Sequence, residues 1–292
     1  MNVFVAVAEK QSFAAAARKL GLSPARVTRA VASLEQRCGA RLLHRTTRVV
    51  RLTDAGAHYL SECKRILSEV DAAEASAASS QRELHGQVSV TAPVLFGRFH
   101  VTPLLLSFLK QHPQVTLRAL FHDRVVDLLE QNIDVAVRIA HLPNSSLRAI
   151  RVGSVRRVVC ASPSYLRAHG TPTHPRDLRG HELIAFSGLG EPRSWSFSIE
   201  GKLETIAPRP RLVVNSGDLA LDAARSGHGL TQVLSYQVAG AVKDKRLRLV
   251  LPEFEVPPVP VHVVHVEGKL ASTRVRALVD FTVERLRAVL RP

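Results

Sequence analysis

The chain has few cysteines, few aromatic residues and no long apolar runs, and each shortage removes a class of protein. Its 3 cysteines, Cys38, Cys63 and Cys160, are odd in number and widely spaced, with no CxxC pair. Neither a disulfide framework nor a zinc site is therefore expected. Each lies in an apolar helical or strand segment and is expected to be a buried structural thiol rather than a redox sensor, which needs a lowered pKa and a resolving partner. No run of about 18 apolar residues occurs, and the N-terminus lacks the basic, apolar and small-residue order of an export signal. The expected location is the cytoplasm, with no membrane partner.

Catalytic motifs are missing as well. The sequence contains no P-loop, GxSxG, HExxH or GxGxxG, and its two loose SxxK matches, Ser61 to Lys64 and Ser107 to Lys110, sit in helical segments without a companion motif. His262 and His265 fall on opposite faces of a predicted strand, which disfavours a metal pair. No catalytic residue, metal or cofactor is expected.

What the chain has is positive charge, and it is concentrated. Lys and Arg number 40 against 25 Asp and Glu, for a net +15. Residues 1–53 hold ten of the basic residues and only Glu9 and Glu35 against them, a net +8 in under a fifth of the length. Such a patch attracts a polyanion through counterion release. The later arginines are interleaved with strands and loops and read as solvated surface. At 292 residues the chain exceeds a typical single core, so at least two domains are expected.

The charged end has a readable plan. Ser12 to Val31 forms two short helices around a turn at Gly21, with Ser12 capping the first and Ser23 followed by Pro24 starting the second. On that second helix Val27, Ala30, Val31 and Leu34 make an apolar stripe, leaving Arg26, Arg29 and Ser33 on another face. A solvated helical hairpin is the plain alternative. The following Ala40 to Thr53 segment, two short strands around a polar tip with Arg45, Arg48 and Arg51, reads as a β-hairpin wing and favours a groove-entering helix flanked by a phosphate grip.

Residues 10–64 thus resemble the winged helix-turn-helix of the LysR-type transcriptional regulators. The resemblance rests on Ser12-Phe13 to Leu20, Leu22-Ser23-Pro24, Val27-Thr28-Arg29, Leu34-Glu35, Leu42 to Arg48 and Leu52-Thr53-Asp54-Ala55-Gly56. Members usually carry a few more residues before the first helix, here Phe4 to Glu9, so that helix is expected to be short. Ser23, Pro24, Arg26, Thr28, Arg29, Arg45, Thr46 and Arg48 are the expected DNA contacts: base edges for Arg26, Thr28 and Arg29, phosphate at the helix start, and backbone or minor groove for the wing.

The resemblance and the chain patterning then divide the rest. The expected domains are the winged helix-turn-helix over 1–56, a linker and dimerisation helix over 57–85, and an effector domain over 86–292. Heptad recurrence of Leu60, Leu67, Glu74 and Gln81, and of Cys63, Val70, Ala77 and Leu84, suits a homodimer on a dyad-symmetric double-stranded DNA site. The family adds a homotetramer, and RNA polymerase as a partner if the protein activates. Beyond His85-Gly86, strand and helix patterns alternate, among them strands at Gln87 to Ala92 and Asp134 to Ile139 and helices at Val101 to Gln111, Val125 to Gln131 and Ser272 to Leu290. The family counterpart is a two-lobed α/β domain like a periplasmic binding protein, lobe I about 86–153 and 261–292, lobe II about 154–260. Its cleft is expected to draw on Ala92, Pro93, Val94, Phe96, Arg138, Ile139, Ser187, Asn215, Asp218 and Thr231 at strand ends and helix starts. Pro93-Val94 stands where many relatives place Ser or Thr, pointing to a small, partly apolar organic effector. A transport-type solute-binding protein and an architectural DNA binder without effector are the rival readings.

Overall fold

In a computed structural model, which describes residues 1–45, 50–78, 84–143, 145, 147–187, 194–207, 209–266 and 272–290, the chain divides into two units, Met1–Gly86 and Gln87–Pro292. The first begins with helices α1 (Asn2–Lys10), α2 (Phe13–Leu20) and α3 (Pro24–Cys38). Their limits are set locally. Ser12 Oγ accepts the Ala15 N–H at 3.2 Å, and Ser23 Oγ accepts the Arg26 N–H at 3.3 Å, each satisfying an N–H that has no partner within its helix. Gly21 closes α2 in the left-handed region at φ 64°, which costs a glycine little. Strands β1 (Leu43–Arg45) and β2 (Val50–Leu52) pair antiparallel, Leu43 opposite Leu52 and Arg45 opposite Val50, and α4 (Asp54–Ala78) follows.

One core joins these elements. Phe4 and Val7 of α1, Ala16 and Ala17 of α2, Val27, Val31 and Leu34 of α3, Leu42, Leu43 and Val50 of the wing, and Cys63 of α4 pack together. Two expectations change here. Ala30 is exposed, so the buried stripe of α3 is Val27, Val31 and Leu34: a methyl side chain at the stripe's margin is too short to reach the core. Cys38 is exposed, unlike the buried Cys63 and Cys160, because it ends α3 beyond the last core turn. Burial pushes both buried thiols up in pKa, Cys160 to about 12. The heptad positions Leu60 and Cys63 also pack into this unit's own core, whereas Val70 is exposed.

The second unit contains two five-stranded sheets. In chain order its elements are β3 (Gly86–Ala92), α5 (Val94–Phe96) running through a π turn at Gly97–Val101 into α6 (Thr102–Gln111), β4 (Val115–Phe121), β5 (Val135–Ile139), β6 (Leu147–Val155), β7 (Arg157–Ala161), α7 (Pro163–His169), β8 (Leu183–Phe186), β9 (Trp195–Ile199), β10 (Lys202–Ile206), β11 (Leu212–Val214), α8 (Gly217–Arg225), β12 (Leu230–Leu234), α9 (Ser235–Lys243), β13 (Arg248–Val250), β14 (Val259–Val266) and α10 (Thr273–Val289). The first lobe's sheet runs β4-β3-β5-β14-β6 and the second's β11-β8-β12-β7-β13, with β9 and β10 forming a separate hairpin. The chain passes from one sheet to the other at Arg156 and returns before Val259. At that double crossing Arg156 grips Glu255 through both carboxylate oxygens, at 3.0 and 3.1 Å. Leu95, on α5, packs into the second lobe's core with Ile184 and Val233.

The helix expected over Val125 to Gln131 is instead a run of turns. Asp127 Oδ1 accepts the N–H groups of Leu129 and Glu130 at 2.8 and 3.1 Å, and Asn132 has φ 52°. A carboxylate bonding its own following amides competes with the helical ladder. Val125, 81% exposed, is left uncovered. Among the described residues no helix is long and apolar enough to cross a membrane, and no group of His, Cys, Asp and Glu could hold a metal.

Candidate functional site

In the first unit, the face of α3 opposite its buried stripe carries Arg26, Thr28, Arg29 and Ser33, all exposed. Thr28 Oγ1 donates to the Pro24 carbonyl at 3.0 Å, which restrains its rotamer. Glu35 sits at the other end of this helix and accepts the N–H groups of Leu42 and Leu43 at 3.0 and 3.1 Å. That carboxylate sets where the wing leaves the helix. The Thr53 N–H donates to the Leu42 carbonyl at 3.1 Å. Thr53 Oγ1 donates to the Arg41 carbonyl at 2.8 Å and accepts the Gly56 N–H at 2.9 Å, so one threonine caps α4 and pins the wing's base. Glu35→Ala removes the acceptor of two backbone donors. It is expected to destabilise this unit by about 2 kcal/mol, read as a lower first transition in a two-unit denaturation curve with the second unmoved.

In the second unit the ends of β3, β5, β8 and β12 converge on a cavity of about 510 Å³ between the lobes. Such a convergence of strand ends is where open α/β sheets hold ligands. The first lobe contributes Thr91, Ala92, Pro93, Val137, Arg138 and Ile139, and the second Arg157, Phe186, Leu234, Tyr236 and Gln237. Arg157 is half-buried in the site: burial pulls its pKa down, and no carboxylate pairs with it among the described residues. Burying a cation without a partner is costly. The Tyr236 hydroxyl is buried beside Gln237, and burial drives its pKa up. Asp123, on the cavity wall, is also raised by burial while its Oδ1 accepts the Val94 N–H at 3.0 Å.

Comparison with known proteins agrees with both parts. Residues 1–57 match the bacterial regulatory helix-turn-helix protein, LysR family, and residues 81–287 match the LysR substrate binding domain. The chain belongs to the LysR family of transcriptional regulators. A helix-turn-helix transcriptional regulator of Xanthomonas campestris pv. campestris is 37% identical over 288 residues, covering 97% of this chain and 84% of that protein. CrgA, a LysR-type regulator from Neisseria meningitidis, superposes with a TM-score of 0.64 at 31% identity, over 97% of each chain. Full-length LysG of Corynebacterium glutamicum, solved with bound effector Arg, shares the fold at a TM-score of 0.68 and 20% identity, covering 99% of this chain and 98% of its own.

In this LysR-family regulator the candidate DNA contacts Ser23, Pro24, Arg26, Thr28 and Arg29 occupy one exposed stretch of α3 and its cap. Arg45 ends β1, while Thr46 and Arg48 lie outside the described residues. Of the candidate cleft residues, Ala92, Pro93, Arg138 and Ile139 line the cavity. The others are placed elsewhere. Phe96 is fully buried against Tyr236, ring centroids 5.1 Å apart, Val94 faces outward on α5, and Ser187 Oγ donates to the Val214 carbonyl at 3.3 Å. Asn215 precedes α8 without lining the cavity, and Asp218 stands 4.0 Å from Arg98. Thr231 is enclosed mid-strand between Cys160 and Ile184. Strand ends point at the cleft, but a residue one step along a strand faces the other side. Arg157, Tyr236 and Gln237 were not anticipated. Arg157 follows the chain's crossing directly, and a cation at a crossing point was the available signal.

Proposed function

We propose that this LysR-type regulator binds a dyad-symmetric promoter site as a homodimer, placing α3 in the major groove, and that a small organic anion in the inter-lobe cleft modulates that binding. Arg26, Thr28 and Arg29 read or approach base edges, Ser23 and Pro24 meet phosphate at the helix start, and the wing residues Arg45, Thr46 and Arg48 hold the backbone or minor groove. Pairing of homodimers into a homotetramer, and contact with RNA polymerase if the protein activates, complete the reading, which is set in the cytoplasm. The observation that carries the DNA half is the uncovered arginine face of α3 on a fully packed core.

The effector half rests on Arg157. A half-buried guanidinium with no paired carboxylate among the described residues, beside the apolar Phe186, Leu234 and Val137, suits a ligand with one anionic group and an apolar body, because ion pairing and apolar burial are then both satisfied. Screening of carboxylic and other anionic metabolites by thermal shift should yield a binder that stabilises the second unit. Arg157→Ala should then weaken it about tenfold to a hundredfold, as expected for loss of a charge-assisted hydrogen bond in an enclosed site. A ligand bound equally well by that variant would remove Arg157 from the site, and failure of every anion would remove the effector reading.

A further inference from the structure

A second feature adjoins that cleft, on one face of the first lobe's sheet, and shares Arg138 with it. In β14, His262 stands directly opposite Arg138 of β5 on one side and Arg151 of β6 on the other. Directly opposite residues share a face, so three basic side chains form one row across three neighbouring strands, about 10 Å from outer strand to outer strand. Like charges placed opposite one another in a sheet are destabilising. One Nη of Arg138 donates to the Val126 carbonyl at 2.8 Å. Among the described residues no carboxylate pairs with Arg138 or Arg151.

The row forms the floor of a groove of about 880 Å³. His141 adds a further basic group, and Val126, Leu142, Pro258 and Val264 give it apolar walls. Asp127 is the carboxylate on its lining, and its Oδ1 is engaged by the Leu129 and Glu130 amides. Among the described residues, buried His262 Nδ1 makes no close hydrogen bond. Burial, and then the charges of Arg151 and His141, hold the His262 pKa low, against a smaller opposing effect from the nearby Ala140 backbone.

We propose that this groove is a second ligand site, which takes a phosphoryl group through Arg138, His262 and Arg151. A tetrahedral phosphoryl group offers three terminal oxygens to a line of three donors, whereas a carboxylate offers two in one plane. The apolar walls favour a phosphate ester over the free ion. The groove shares Arg138, Val126, His141 and Leu142 with the inter-lobe cavity, whereas Arg151 and His262 line the groove alone, so variants at those two positions separate this site from the effector reading.

The test is calorimetric titration of the full chain with inorganic phosphate and with phenyl phosphate, in the wild type and in the Arg151→Ala, His262→Gln, Arg157→Ala and Arg26→Ala/Arg29→Ala variants. The expected result is saturable binding that weakens about tenfold in Arg151→Ala and in His262→Gln and is unchanged in the other two variants. Tighter binding of phenyl phosphate identifies an ester ligand, and equal binding identifies free phosphate; both support the site. The His262 ring, followed by NMR, should titrate at higher pH once phosphate is bound, because the anion favours the imidazolium against Arg138, Arg151 and His141. No saturable binding, binding indifferent to Arg151→Ala and His262→Gln, or binding lost in the cleft or α3 variants would overturn the proposal.

Discussion

Replacing both Arg26 and Arg29 by alanine is expected to lower affinity for the specific operator at least about a hundredfold, since each arginine that reads a base edge contributes about 1–3 kcal/mol of discrimination. A dimer loses the pair twice. Both side chains are exposed, so the folded state should lose almost nothing, within about 0.5 kcal/mol. That combination, intact melting with lost specificity, separates recognition from structural support. The salt dependence separates the two kinds of contact: if the arginines reach phosphate instead of bases, the variant binds all sequences more weakly and its salt slope flattens. Unchanged operator affinity would take both residues out of the interface.

The second large effect is expected at Gly56. Inside a helix, glycine to alanine ordinarily stabilises by about 1 kcal/mol. Here the sign should reverse. A Cβ on Gly56 would collide with the Leu42 carbonyl oxygen, and that carbonyl accepts the Thr53 N–H at the base of the wing. Backbone must therefore move, and Gly56→Ala should cost about 3 kcal/mol or more, a large part of the stability of a unit this small. The expected readout is loss of DNA binding and of the first unfolding transition, while anion binding by the second unit persists. A variant that melts at or above the wild-type temperature would show that α4 approaches the wing less closely than described.

These two sites differ in how they could be read from the chain. Ser23-Pro24, the turn at Gly21 and the arginines of α3 announce themselves because caps, turns and periodicity are local properties. The run from Leu52 to Gly56 could be matched to a family pattern, but the reason for its glycine is a contact between α4 and Leu42, which no local rule supplies. Val125 to Gln131 misled for a related reason: its apolar spacing suits a helix, yet Asp127 turns the chain on its own amides. Ala30 and Cys38 show the limit of periodicity, since side-chain length and helix end decide which stripe positions are covered. In the cleft, strand ends point to Ala92, Pro93, Arg138 and Ile139, which line the cavity. They could not lead to Tyr236 or Gln237, which α9 brings from the second lobe, or show that Thr231 faces away. The row of Arg138, His262 and Arg151 depends on strand order and register across residues more than a hundred positions apart, information that a single sequence does not carry.

The central claim is that the positive N-terminal unit reads sequence rather than coating DNA. Its most direct test is recovery of genomic fragments by purified full-length protein at physiological salt, with the Arg26→Ala/Arg29→Ala variant in parallel. The account predicts enrichment of a few dyad-symmetric sites, each lost with the variant. Uniform, salt-sensitive recovery that the variant shares would contradict it and leave an architectural DNA-binding protein in its place.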